Sequence, residues 1–286
     1  MQKIKIEKAR ELGFCFGVRR AIQIIETAAR ENKGIVTLGP IVHNRLVVAK
    51  LADMGVNIVS HINQVHDGII AITSHGVPPD LLSQLQDQQI HIIDTTCPIV
   101  RSAQEAAKKL ADAGFGIVIF GEATHPEVKG LLGWAGNNAI ATMDGESINN
   151  SGLPQRLGIL SQTTQSRSKF AEFTDKVVSV TFPHFQELRI INSLCEETQK
   201  RQEAAIELAG KSDLMIVVGG LNSANTQRLA EVCSSLVETC SIETADEIKN
   251  SWISGKHYIG VTAGASTPDE AIAKVISKLE SLATNN

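Results

Sequence analysis

Aromatic side chains are scarce in this chain. Phe, Trp and Tyr together make up 4% of its 286 residues, too few for a platform on which the bases of a single strand would stack. Positive charge is not in excess: 27 Lys and Arg stand against 31 Asp and Glu, a net charge of −4. That leaves no basic footprint for nucleic acid and no block of like charge that reads as a tail. No apolar run approaches the roughly 18–20 residues needed to span a bilayer. The N-terminal stretch MQKIKIEKARELGF alternates charge with isoleucine and lacks the apolar core of a signal peptide. These absences lead us to expect a cytoplasmic protein with neither a membrane nor a nucleic acid as partner. Cysteine is sparse as well: five residues, scattered, with no CxxC pair. This excludes the close ligand pairs of structural zinc sites, and in a reducing compartment a disulfide framework is not expected. The phosphate-binding pattern GxxxxGK[ST] is also missing.

What the chain does have is 43% hydrophobic residues, enough for a large core in one compact unit or in several small modules. Short β-branched runs recur along it: GIVTL (34–38), GIIAIT (68–73), IHIID (90–94), GIVIF (116–120), LGIL (157–160), LRII (188–191), LMIVV (214–218) and YIGVT (258–262). Helical patterns lie between them, such as 100–114 and 198–210. Strands alternating with helices predict parallel α/β units. No Pro-, Gly- or Ser-rich linker separates them.

Three of the cysteines open helical patterns, in GFCFGV, DTTCP and NSLCEET. Cys15 to Gly39, Cys97 to Gly121 and Cys195 to Gly219 are each 24 positions apart, and each glycine follows a predicted strand. Four positions further stand His43, His125 and Ser223. A second loop closes each copy: TSHGVP around His75, SQTTQS around Thr163 and AGASTP around Ser266. Helix–strand units of similar length would give equal spacing by themselves. The same offsets, however, align cysteine, glycine and polar residue together, and so indicate a triplicated unit. We therefore expect an α/β fold of three similar modules with small parallel sheets, arranged as a pseudo-threefold trefoil around a central cavity. The expected modules are 13–96, 97–194 and 195–286, with 1–12 as an N-terminal strand segment packing on the third.

In parallel α/β units ligands gather where strands end and helices begin, and a thiol at a helix start is biased toward thiolate. A threefold arrangement would bring Cys15, Cys97 and Cys195 to one point. A cubane iron–sulfur cluster normally takes four cysteines; three would leave one iron open as a Lewis acid. Cys233 and Cys240 lie outside the repeat and read as ordinary buried thiols. The two loops of each copy add His43, His75 and His125, with hydroxyls and amides from Thr163, Thr198, Ser223, Asn225 and Ser266. This is a mostly neutral, donor-rich cradle suited to phosphate. Glu127 is the one acid at these motif positions, and a lone carboxyl beside open iron is a natural proton carrier. Taken singly these residues have plainer readings: a helix N-cap for Ser223 or Ser266, a capped turn for His75.

The motifs GFCFGV, VHN, SHGV, DTTCP, HPEV, SQTT, CEETQKRQ, NSAN and GVTAGAST run from residue 13 to 267. As a set the chain resembles the 4-hydroxy-3-methylbut-2-enyl diphosphate reductase family of the methylerythritol phosphate route to isoprenoids. The resemblance implies a trefoil of three α/β modules around a [4Fe–4S] cluster held by Cys15, Cys97 and Cys195, with one open iron. It implies two-electron, two-proton reductive removal of an allylic hydroxyl, giving isopentenyl and dimethylallyl diphosphate, with reduced ferredoxin or flavodoxin as electron donor. Carried over by motif, His43, His75, Ser223, Asn225 and Ser266 are diphosphate contacts with His125 nearby. Glu127 is the proton source, and Thr163 and Thr198 support the hydrogen-bond network around the hydroxyl. Two positions depart from the pattern. Ala224 stands where the family often has a second serine, leaving its backbone N–H to serve, and EET stands where a small residue is expected before Thr198.

Two other readings fit three cysteines. A dehydratase of the quinolinate synthase type would share three stacked α/β units but carry out no net reduction. A non-enzymatic iron–sulfur sensor would need an effector surface or a basic helix-turn-helix, and the sequence shows no such element.

Overall fold

A computed structural model of the chain describes residues 4–65, 68–148 and 152–285. Among them twelve strands form three four-stranded sheets, parallel throughout. The chain starts with β1 (Lys5–Lys8). It continues through α1 (Phe16–Glu31), β2 (Ile35–Leu38), α2 (Arg45–Asp53), β3 (Asn57–Val59), β4 (Ile69–Ile72), α3 (Pro79–Asp87) and β5 (His91–Asp94). The same order then recurs as α4 (Pro98–Asp112), β6 (Gly116–Phe120), α5 (Pro126–Ala135), β7 (Ala139–Thr142), β8 (Arg156–Ser161), α6 (Arg167–Thr181) and β9 (Glu187–Ile190). A third pass runs α7 (Glu196–Ala209), β10 (Leu214–Val218), α8 (Ala224–Ser234), β11 (Thr239–Ile242), α9 (Asn250–Ile253), β12 (Tyr258–Ala263) and α10 (Asp269–Asn285). A short 3₁₀ turn follows the second strand of each pass, at Ile62–Gln64, Gly145–Ser147 and Ala245–Glu247. The helix–strand order is thus repeated three times, as the spacing predicts.

The sheet orders are β3-β2-β4-β5, β7-β6-β8-β9 and β11-β10-β12-β1. In the third sheet β1 takes the outer place that β5 and β9 hold in the other two, with Lys5 opposite Tyr258 and Lys8 opposite Val261. The central strands β6 and β10 are buried along their full length. This is why GIVIF and LMIVV read as unbroken apolar runs rather than alternating ones: helices cover both faces of a parallel sheet. Edge strands β3, β7 and β11 are short and only partly buried, and their sequences NIV, AIAT and TCSI give little signal. Helix α4 shows the matching amphipathic pattern. Val100, Ala103, Ala107 and Leu110 line its buried face, with Gln104 among them, while Lys108 and Asp112 pair across the exposed side at 2.6 Å.

Two compact units emerge from the contacts: Met1–Arg19, Val42–Asp53 and Glu196–Asn286 in one, Arg20–Ile41 and Met54–Cys195 in the other. The first contains the β11-β10-β12-β1 sheet and the second the other two. In the first unit Leu214, Ile216, Val218, Val261 and Val275 pack on one side of the sheet, and Met215, Val217, Ala205 and Leu229 on the other. The second unit has clusters around β6 and β8, with Phe115, Ile117 and Leu131 in one and Phe120, Phe170 and Phe173 in the other. Among the described residues no helix is long and apolar enough to cross a membrane.

Candidate functional site

Each repeat cysteine stands immediately before a helix: Cys15 before α1, Cys97 as the N-cap of α4, Cys195 before α7. Each is also pinned in the same way. The Cys15 N–H donates to the Ala265 carbonyl at 3.1 Å, that of Cys97 to Ser74 at 3.0 Å, and that of Cys195 to Thr163 at 2.9 Å. The three acceptors all lie two residues beyond a second central strand, β12, β4 and β8. The loops read from sequence as closing each copy are therefore the loops that hold the cysteine turns. All three thiols are partly exposed and none of the five cysteines is in a disulfide. The Cys15 Sγ accepts from the Val18 N–H at 3.4 Å, a donor that favours sulfur carrying negative charge. Cys233 differs in every respect. It is fully buried, and burial pushes its thiol up to about 12, so it acts as a small apolar residue. Each of the three is a soft thiol donor at a partly exposed helix start, the donor type that iron–sulfur groups take.

In the first unit the loop after β10 carries Ser223, Ala224 and Asn225 into the start of α8. Ser223 caps that helix, its Oγ accepting from the Thr226 N–H at 3.4 Å. The plainer reading of Ser223 is thus correct as far as it goes, yet a hydroxyl capping through a lone pair keeps its hydrogen to donate elsewhere. The Ser266 hydroxyl donates to the His43 carbonyl at 3.4 Å. His43 itself does not cap α2, because the neighbouring Asn44 takes that role through Oδ1, at 3.0 Å from the Leu46 N–H and 3.2 Å from that of Val47. Burial holds the His43 imidazole below its ordinary range, so near neutral pH it is uncharged and offers one donor. Gly220 allows this approach: a Cβ there would lie 2.1 Å from the His43 carbonyl oxygen.

Asn225 is the most telling residue of this unit. It is buried, and neither its amide nitrogen nor its oxygen has a hydrogen-bond partner within the protein. The next residue, Thr226, is buried with its hydroxyl unpartnered. Thr226 is not among the residues that the sequence motifs single out, although it directly follows NSAN. Such groups are costly unless a ligand satisfies them. Asn225→Ala should therefore leave the melting temperature of the ligand-free protein unchanged or raised. In the same variant KM should rise by about 10- to 100-fold, the value of a hydrogen bond to a charged oxygen. A loss of stability without a KM change would make Asn225 structural. Thr198 is buried in the first turn of α7.

In the second unit His125 caps α5, its Nδ1 accepting from the Glu127 N–H at 3.2 Å, with Pro126 at the first helical position. The neutral ring then carries its hydrogen on Nε2. His75 lies edge-on to it, ring centroids 5.5 Å apart at 85°, and its Nδ1 is 3.4 Å from the Thr73 hydroxyl. Glu127 is 2% exposed. The Thr163 N–H donates to its Oε1 at 2.6 Å, and the Thr163 hydroxyl to Oε2 at 3.1 Å. Both bonds favour the carboxylate, but burial outweighs them and raises the group to about 7. Thr163 thus touches two of the candidate residues at once. Its N–H and hydroxyl hold Glu127, while its carbonyl holds Cys195.

Comparison with known proteins follows the same lines. Residues 6–280 match the family model described as LytB protein. The 4-hydroxy-3-methylbut-2-enyl diphosphate reductase of Dehalococcoides mccartyi (strain CBDB1) is 46% identical over 280 residues, covering 98% of this chain and 99% of that protein. The one from Pelobacter propionicus (strain DSM 2379 / NBRC 103807 / OttBd1) is 42% identical over 284 residues, covering 99% and 100%. Among solved structures, the E-1-hydroxy-2-methyl-but-2-enyl-4-diphosphate reductase from Plasmodium falciparum superposes with a TM-score of 0.90 at 27% identity, over 97% of this chain and 88% of that one. A second, (E)-4-hydroxy-3-methyl-but-2-enyl diphosphate reductase, described as the terminal enzyme of the non-mevalonate pathway, gives 0.70 at 38% identity over 98% and 100%. With a match of this extent in sequence and in fold, the chain belongs to the LytB family of 4-hydroxy-3-methylbut-2-enyl diphosphate reductases.

Proposed function

We propose that this chain removes the allylic hydroxyl of 4-hydroxy-3-methylbut-2-enyl diphosphate, consuming two electrons and two protons and releasing water with isopentenyl and dimethylallyl diphosphate. The observation that carries the reading is the Glu127–Thr163 pair, a buried acid near 7 joined by a single residue to the Cys195 turn. Cys15, Cys97 and Cys195 would hold a [4Fe–4S] cluster, which would supply one-electron transfer from reduced ferredoxin or flavodoxin and Lewis-acid polarisation of the hydroxyl.

The protein's own groups do the rest. His43, His75, His125, Ser223, Asn225, Ser266 and the Ala224 N–H hold the diphosphate as hydrogen-bond donors. Thr163 and Thr198 orient the hydroxyl end. When protonated on Oε2, Glu127 becomes the donor across the 3.1 Å contact to Thr163, and the Thr163 hydroxyl hands its own hydrogen on to the leaving oxygen. Residues 13–96, 97–194 and 195–286 act as three modules, with 1–12 on the third. The enzyme works in the cytoplasm.

The test is anaerobic: cluster-loaded protein, a reduced viologen dye and the allylic alcohol diphosphate, with dye reoxidation followed by absorbance. Substrate-dependent oxidation is the expected result. No oxidation, with cluster verified and substrate bound, would overturn the reductase reading in favour of a dehydratase that runs without net reduction.

A further inference from the structure

Arg201 lies on α7, six residues beyond Cys195, inside the charged run QKRQE, yet not on a solvated face. Arg201 is 3% exposed. Its Nη2 donates to the Gly13 carbonyl at 2.9 Å and its Nη1 to the Glu197 carbonyl at 3.5 Å, while its Nε has no partner. Among the described residues no carboxylate pairs with it. The Glu197 side chain is turned to Lys200 at 3.8 Å. Asp269, whose Oδ1 would lie 2.7 Å from a Cβ on Gly13, is exposed and makes no ion pair with it. The other deeply buried arginine of this unit, Arg228, shows the usual solution, with both Glu231 oxygens at 2.6 and 2.7 Å from its Nη1.

A buried guanidinium without an anion is strongly unfavourable, because carbonyl dipoles replace hydration without neutralising the charge. Such a residue persists where a negative group completes the site. Here the carbonyl it grips belongs to Gly13, two residues before Cys15, in a turn held left-handed at φ 79°. A cubane on three thiolates is negatively charged, and more so once reduced.

We infer that Arg201 is the fixed counter-charge of the cluster: a positioning residue that clamps the Cys15 turn and, through its charge, favours the reduced state. The inference rests on the proposed cluster ligation. Arg20 makes a similar contact before Cys97, its Nη1 donating to the Thr96 carbonyl at 3.2 Å, but it is partly exposed and its charge is screened by solvent.

The experiment is a potentiometric titration of the cluster followed by electron paramagnetic resonance, on wild type, Arg201→Met, Arg201→Lys and Arg20→Met, with iron counted in each. Arg201→Met should disfavour reduction by at least about tenfold, a fall in midpoint of about 59 mV for one electron. Arg201→Lys should stay near wild type, and Arg20→Met should fall less than Arg201→Met. A midpoint unchanged in Arg201→Met at full iron would overturn the inference, as would cluster lost equally from the Met and Lys variants, which would assign geometry rather than charge. Cluster retained in Lys and lost in Met supports it. The cluster-free chain gives a second reading. Arg201→Met should melt no earlier than cluster-free wild type, and an earlier melt would make the arginine an ordinary structural residue. If wild type itself assembles no cluster, the proposed ligation fails, and this inference fails with it; iron content separates that case from the others.

Discussion

Replacing Glu127 by glutamine should lower turnover by about 10²–10⁴, the range for losing a positioned proton donor, while KM stays within a few-fold of wild type. Glutamine keeps the shape and can still accept the Thr163 N–H through its amide oxygen, so the loop that also holds Cys195 should stay in place. What it cannot do is release a proton. The pH profile makes the test specific. With the acid raised to about 7, the protonated form dominates below that pH, and wild-type turnover should fall as pH climbs through it. The variant should show no such limb. Near-normal turnover in Glu127→Gln would remove this residue from the chemistry.

The same group makes a stability prediction whose sign follows from linkage. A carboxyl whose pKa is raised on folding, from 4.5 to about 7, binds its proton more tightly in the folded state. The stability it lends is present below about 4.5 and is lost as pH rises through about 7. Above pH 8 an ionised, buried Glu127 should cost up to about 3 kcal/mol. Urea unfolding at pH 8.5 should therefore find Glu127→Gln more stable than wild type, with the gap closing at pH 5. A variant less stable at pH 8.5 would show that the two Thr163 bonds, not burial, control the carboxyl.

Cys97→Ser should abolish dye oxidation and lower the bound iron, yet leave the fold unharmed. Cys97 is the N-cap of α4 and makes no side-chain cap bond. Serine is among the preferred residues at that place, so the melting temperature of the cluster-free chain should hold or rise slightly. The effect would then belong to the thiolate and not to the helix. Cys233 is the matched control. Its thiol is sealed against α7, 4.0 Å from the Ala205 carbonyl. Cys233→Ser should cost about 1–3 kcal/mol by burying a hydroxyl with a poor partner, with iron content unchanged. Full iron in Cys97→Ser would argue against Cys97 as a ligand.

Much of the architecture is local and so legible in the chain. The length of a strand buried on both faces, the 3.6-residue period of a helix covering it, and a cysteine or capping residue at a helix start are all written within about thirty consecutive positions. That is why the offset of 24 between cysteine and glycine marks three helix–strand units, and why Cys15, Cys97 and Cys195 stand out from Cys233 and Cys240. The edge strands β3, β7 and β11 are faint because each is covered on fewer sides and needs fewer apolar residues.

Properties that arise when distant segments meet were decided by the tertiary structure alone. Glu127 reads as an acid beside a histidine; its pKa is raised to about 7 by burial, against the two bonds it accepts from Thr163, 36 positions away. Arg201 stands in a charged run of the sequence, and only the fold shows that it is buried and bound to the Gly13 carbonyl, 188 positions away. Sequence alone determined the repeat and the residue types at its helix starts, because backbone periodicity and capping act over a few residues. Protonation state and unpaired charge are set by desolvation, which depends on what the folded chain places around a group.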